Sequence, residues 1–163
     1  MIERTIKREY FKNNKKGFVL LYTMILSSII LAVAFGILRI AFKETNFGIS
    51  ARAANEAFFA ADTGAECAIY HDKIDPAMNA FSGTLDQMMC AGQNISLNSI
   101  GTDAWSFVVS NLGESGVACA KVTLIRDPGT FSTTVVSKGY NKGGDTCDAV
   151  SGNVVERQLE LTY

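Results

Sequence analysis

Four cysteines, one histidine and a scatter of carboxylates are the side chains of this 163-residue sequence best suited to chemistry. The cysteines are Cys67, Cys90, Cys119 and Cys147. No two form a Cys-x-x-Cys pair, and His71 is the only histidine, so the usual zinc-ligand spacings are missing. An even number suits two disulfides in an oxidising compartment. Asp62 and Glu66 stand one helical turn apart, and an exposed or structurally paired role suits them better than metal binding. Asp127, Asp145 and Asp148 could in principle hold calcium, but not at EF-hand spacing. Asn94-Ile95-Ser96 matches a glycosylation sequon, a short pattern that recurs by chance. There is no glycine-rich loop ending in Lys-Ser or Lys-Thr, and no Gly-x-Ser-x-Gly elbow. The expectation is a protein that is not an enzyme and uses no cofactor or metal.

The charges point instead to a membrane. The whole chain carries 15 basic and 16 acidic side chains. Residues 1–17 hold six basic side chains against two acidic ones, a surplus of +4, which leaves −5 on the rest. The next 21 residues, 18–38, carry no charge. About 20 apolar helical residues cross a bilayer core. Lys15 and Lys16 precede this run, so the positive-inside rule places residues 1–17 in the cytoplasm and the acidic body outside. A secretory signal peptide has a shorter apolar region, of about 7–15 residues, ending at a small-x-small site. Here Ala32-Val33-Ala34 lies within the apolar run. A broadly basic nucleic-acid binder is excluded, and no nucleic-acid partner is expected.

Residues 39–70 contain no proline and many alanines, which extends the helix beyond the apolar run. A continuous helix over 18–70 would be about 80 Å long at 1.5 Å per residue. Gly36, Gly48 and Gly64 are possible bends, and Asp75-Pro76 marks the latest stop. Ile49, Ala53, Ala57, Ala60, Gly64 and Cys67 fall along one face, with Phe58, Ala61, Ala65 and Ile69 beside it. Both rows read as core packing. Residues 77–103 read mostly as loop, with a short helical turn near Thr84–Met89. A strand is expected over Ala104–Ser110. Val117–Arg126 and Thr130–Lys138 flank Asp127-Pro128-Gly129 and predict an antiparallel hairpin. Val154–Tyr163 alternates as a half-buried strand, with Val155, Arg157, Leu159, Leu161 and Tyr163 on one face. The fold class is therefore α+β: a long N-terminal helix, its first half membrane-spanning, packed on a small antiparallel head. The expected organisation is a cytoplasmic leader at 1–17, a transmembrane helix at 18–38, a helix entering the head at 39–70, and a globular head at 71–163. Cys119 and Cys147 fall at the same end of the predicted hairpin. Cys67 and Cys90 lie near the helix end and in the loop leaving it. Of three possible pairings, Cys67–Cys90 with Cys119–Cys147 is the expected one.

Lys15-Lys16-Gly17-Phe18 followed by an apolar helix resembles the class III signal of type IV pilins and pseudopilins. Phe59-Ala60-Ala61-Asp62-Thr63-Gly64-Ala65-Glu66 is similar to the aromatic-Ala-Ala-acidic-x-Gly pattern of the PilX-type amino-terminal pilus-assembly family. The resemblance covers residues 12–70. It implies that a prepilin peptidase cuts after Gly17, that Phe18 becomes the methylated amino terminus, and that the helix anchors the subunit and later joins a filament core. It also implies partners: major and minor pilin subunits, an inner-membrane assembly platform and the lipid bilayer. The localisation implied is a single-pass bacterial inner-membrane protein, amino terminus inside, that moves into an extracellular filament. Major pilins of this kind have glutamate as the fifth mature residue, where this chain has Tyr22. That departure favours a minor subunit of a type IV pilus or of a type II secretion-like filament, with roles in cell adhesion or protein secretion. The alternatives are a membrane-anchored extracytoplasmic protein that never polymerises, and a filament-tip module that binds a surface or DNA.

Overall fold

The computed structural model describes residues 16–74, 80–82, 86–148, 152 and 154–163. One helix, α1, runs over Lys16–Ile69 without a break at its internal glycines. A single π-helical turn, Tyr70–Ile74, follows it. Asp75 and Pro76, the predicted stop, lie outside the described residues. The chain divides into two units, Met1–Gly48 and Ile49–Tyr163, and α1 contributes to both. In the first unit, every described side chain from Phe18 onward is exposed. The helical run Phe18–Lys73 contains an 18-residue window of mean hydropathy 2.5, none of it buried within the protein.

The second unit is an α+β head. Seven strands follow α1 in chain order: β1 Gln87–Cys90, β2 Gln93–Ser96, β3 Asn98–Gly101, β4 Ala104–Leu112, β5 Ala118–Asp127, β6 Ser132–Tyr140 and β7 Glu156–Thr162. β1 and β2 form a separate hairpin, and β3 to β7 form one sheet in sequence order. All pairs are antiparallel. β5 and β6 pair from Asp127↔Ser132 to Cys119↔Tyr140, the hairpin expected from Asp127-Pro128-Gly129.

The helix and sheet meet through small side chains. Ala57, Ala60, Ala61, Ala65 and Ala68 are all buried on the head-facing side of α1. Opposite them, β6 presents Gly139. A β-carbon there would collide with backbone atoms of Ala57 and Ala61, so the helix lies directly on the strand. Beside it, Ser137 Oγ donates to the Ala61 carbonyl at 2.6 Å. Ser137 is fully buried, and this bond meets the need that burial creates. Gly64 fits the same contact: a β-carbon would crowd Ser137, Val122 and Ala120.

A helix about 10 Å wide covers roughly two strands spaced about 4.8 Å apart. Here those strands are β5 and β6. β4 is covered by other means. Phe81, in the short 3₁₀ turn Ala80–Ser82, packs edge-on to Trp105 with ring centres 5.9 Å apart. It also meets Phe107 at 6.3 Å. Met88, Cys90 and Ile95 of the β1–β2 hairpin join the same buried cluster.

Three expectations needed correction. Residues 87–90, 93–96 and 98–101 are strands rather than loop or a helical turn, and the start of the predicted turn, Thr84 and Leu85, lies outside the described residues. Ala91 and Gly92 turn the first hairpin with φ of 49° and 75°, as a two-residue hairpin with the right twist requires. The alternation Met88, Cys90, Ile95 then points inward. β7 keeps its predicted facing, but Leu161 remains 39% exposed, because this edge strand lies past the helix. The buried stripe of α1 is also narrower than drawn, since Ile49 and Phe58 are exposed.

Candidate functional site

The residues singled out for processing and assembly lie at the start of α1. Lys15 falls outside the described residues. Lys16 and Gly17 form the first helical positions, and Phe18 is exposed. Tyr22 lies one turn further on and is 59% exposed, on a helix whose neighbouring side chains are Val19, Leu20, Leu21 and Ile25. The threonine and serine hydroxyls within the apolar stretch are satisfied locally. Thr23 Oγ1 donates to the Leu20 carbonyl at 2.9 Å, Ser27 Oγ to Met24 at 3.0 Å, and Ser28 Oγ to Ile25 at 2.8 Å. A helix that meets the needs of its own backbone and of its serine and threonine hydroxyls can sit in hydrocarbon. Its length, composition and exposed surface are those of a membrane-associated segment.

The cysteines lie in the head. Cys67 of α1 is bonded to Cys90 at the end of β1, with Cα atoms 5.9 Å apart. Cys119 in β5 is bonded to Cys147, with Cα atoms 5.6 Å apart. The first bridge ties the helix to the small hairpin. The second closes the loop after β6 onto the start of β5. Gly143 packs against it, since a β-carbon there would strike Cys119 Sγ.

The acidic residues considered for metal binding have other surroundings. Asp127 caps its own turn: Oδ1 accepts from the Gly129 N–H at 2.8 Å and Oδ2 from the Thr130 hydroxyl at 2.9 Å. These bonds hold its carboxyl below the ordinary carboxylate range. Asp148 lies 3.8 Å from Lys121, and Asp145 is exposed. Asp62 is half-buried while Glu66 is exposed. Among the described residues, no three His, Cys, Asp or Glu side chains converge as metal ligands would. Asn94 stands exposed on β2.

One polar cluster was not foreseen. Asp72, in the π turn, has a side chain only 5% exposed and an ion pair with Arg126 at the end of β5. Its second oxygen accepts from the Tyr163 hydroxyl at 3.0 Å. Arg126 also donates to the Phe81 carbonyl at 2.9 Å and lies over the Trp105 ring. Lys73 lies over the Tyr163 ring, 4.7 Å from its centre. Burial and the Asp72 carboxylate push the Tyr163 phenol well above its ordinary range. The cluster joins the helix end, β5 and the residue after β7, and its contacts are structural. The sequence signals were an aspartate just past the helix and an arginine just before a turn, too common to single out.

A groove of about 590 Å³ opens beside the first bridge, lined by Ile69, Tyr70, His71, Met89 and the Cys67–Cys90 pair among others. His71 Nε2 donates to the Met89 carbonyl at 2.8 Å and fixes one wall. Searches of protein-family models, curated proteins and solved structures find no match to this chain. What the geometry carries is a membrane-associated helix joined to a folded, disulfide-linked antiparallel head, an arrangement consistent with a generic pilin-like module.

Proposed function

We propose that the chain is a minor pilin or pseudopilin, a non-enzymatic subunit of a type IV pilus or a type II secretion-like filament. The observation that carries this reading is a single helix over Lys16–Ile69. It opens at Lys16, within the Lys-Lys-Gly-Phe signal of the sequence, passes through 21 uncharged residues, and ends in a disulfide-linked head. In this reading a prepilin peptidase removes residues 1–17, the helix anchors the subunit in the inner membrane, and an assembly platform lifts it into a fibre beside major and minor pilins. Tyr22 favours a minor role. The terminal amine of Phe18 would lie in lipid or in a dry fibre core, where an unpaired charge is expensive. A tyrosine offers no carboxylate to pair with it. A shaft of this chain alone would repeat that cost at every subunit, whereas a rare subunit can borrow an acid from a neighbour.

Co-expression with a prepilin peptidase tests the reading. Intact-mass measurement should find a chain that begins at Phe18, and Gly17→Ala should reduce cleavage strongly. A mature chain still beginning at Met1 in its native cell would remove the pilin assignment and favour a membrane-anchored protein that is never polymerised.

A further inference from the structure

The two bridges of the head have different surroundings. Cys119–Cys147 is sealed. Cys119 is 0% and Cys147 2% exposed, and the loop backbone at Gly143 lies so close that a β-carbon would strike Cys119 Sγ. The Gly143 N–H donates to the Val117 carbonyl at 3.0 Å and holds that loop down. Cys119 also belongs to the five-stranded sheet, where it is paired with Tyr140. Cys67–Cys90 instead forms part of the wall of the groove of about 590 Å³. Cys67, at 9%, is the most exposed of the four cysteines.

The groove can be entered from solvent, and the element behind it can yield. Tyr70 and Met89 line it and are themselves exposed. Cys90 ends β1, and β1 and β2 pair only with each other. Besides the bridge, this hairpin is held by the burial of Met88 and Ile95 and by two side-chain bonds. His71 Nε2 donates to the Met89 carbonyl, and Gln93 Nε2 donates to the Ser110 carbonyl at 2.8 Å. No strand ladder joins the hairpin to β3–β7, so it can open locally while the five-stranded sheet stays paired.

We infer that Cys67–Cys90 is a thiol–disulfide exchange site, opened by a dithiol that enters the groove, and that Cys119–Cys147 is inert to the same reagent. Exchange requires a thiolate to reach a sulfur, so access decides which bridge reacts. One thiolate of the dithiol attacks Sγ of Cys67, the more exposed partner. A new S–S bond forms there, the Cys67–Cys90 bond breaks, and the electron pair leaves on Cys90 Sγ, which takes a proton from water. The second thiolate then attacks the dithiol's own sulfur in the mixed disulfide. Cys67 leaves as a thiolate and is protonated in turn. The dithiol is oxidised to a disulfide, and the bridge is reduced to two thiols. Opening releases β1 from the end of α1 and leaves the hairpin to its side-chain contacts. Glu66 on the lining disfavours anionic reagents, so neutral or cationic thiols suit the groove. None of this chemistry depends on the chain entering a filament.

The test treats the full chain in detergent, without denaturant, with dithiothreitol. Samples are quenched with N-ethylmaleimide at intervals and mapped by peptide mass. Cys67 and Cys90 should be labelled roughly tenfold faster, or more, than Cys119 and Cys147. Glu66→Gln should speed opening by 2-mercaptoethanesulfonate roughly twofold or more relative to opening by cysteamine, because only the first reagent carries an extra negative charge into the groove. With the opened bridge alkylated, hydrogen exchange should rise across residues 87–96 while the amides of β4, β5 and β6 stay protected. Equal labelling of the two bridges, or earlier labelling of Cys119 and Cys147, would overturn the assignment. So would an equal effect of Glu66→Gln on both thiols, which would mean that attack does not pass through the groove. Loss of protection across the whole sheet would contradict local opening of the hairpin.

Discussion

Substitution of Gly139 by alanine probes the contact on which the head depends. The added methyl would fall on the backbone of Ala57 and Ala61, which cannot rotate away as a side chain can. Relief requires α1 to lift from β6. Overpacking of this kind costs about 1–3 kcal/mol. Lifting also stretches the bond from Ser137 Oγ to the Ala61 carbonyl, leaving a buried hydroxyl poorly satisfied for about 1–2 kcal/mol more. The expected loss is about 2–5 kcal/mol, which for a head of this size lowers Tm by roughly 10–20 °C. The assay is thermal and urea unfolding of the full chain in detergent, followed by Trp105 fluorescence with the disulfides intact. Gly101→Ala is the control. Its added methyl would meet only Ala104 at 3.5 Å, an ordinary contact, and should change Tm little. Equal stability of Gly139→Ala and Gly101→Ala would refute the close approach of helix and strand.

Three further outcomes follow from the head. Phe81→Ala should destabilise it by about 3–5 kcal/mol in the same unfolding assay, because this fully buried ring meets both Trp105 and Phe107. Replacing both Cys119 and Cys147 with alanine should cost about 2–5 kcal/mol, and non-reducing peptide mapping of the parent should recover Cys67–Cys90 and Cys119–Cys147. Tyr163 supplies a pH dependence. Its phenol is raised in the folded head, so its contribution is complete below the unfolded value of about 10 and is lost as pH climbs above that value. Stability measured by urea unfolding should fall across this alkaline window, and Tyr163→Phe should make the fall shallower.

The sequence made the long apolar helix legible because absence of charge over 21 residues is a one-dimensional signal. The β5–β6 hairpin was legible for a similar reason, since Asp-Pro-Gly marks a turn between two β-rich runs. Hairpin logic also brought Cys119 toward Cys147. The β1–β2 hairpin was hidden because its strands are four residues each and rich in Gln, Asn and Met. Its stability comes from burying Met88, Cys90 and Ile95 against Phe81 and β4, and from the bridge to Cys67. No local propensity reports those contacts. β7 misled in degree, because alternation specifies which face a side chain takes and not whether a helix reaches that far. The Asp72, Arg126 and Tyr163 cluster joins residues separated by 54 and 91 positions, which spacing alone cannot connect.

The central claim is that this chain is a processed, rare subunit of an extracellular fibre. Quantitative mass spectrometry of fibres sheared from the native cell tests it most directly. The account predicts peptides from the head together with an amino-terminal peptide beginning at methylated Phe18, at a few per cent or less of the major subunit. Fibres that lack this chain while the cell membrane retains it, or fibres composed of this chain alone, would contradict the claim.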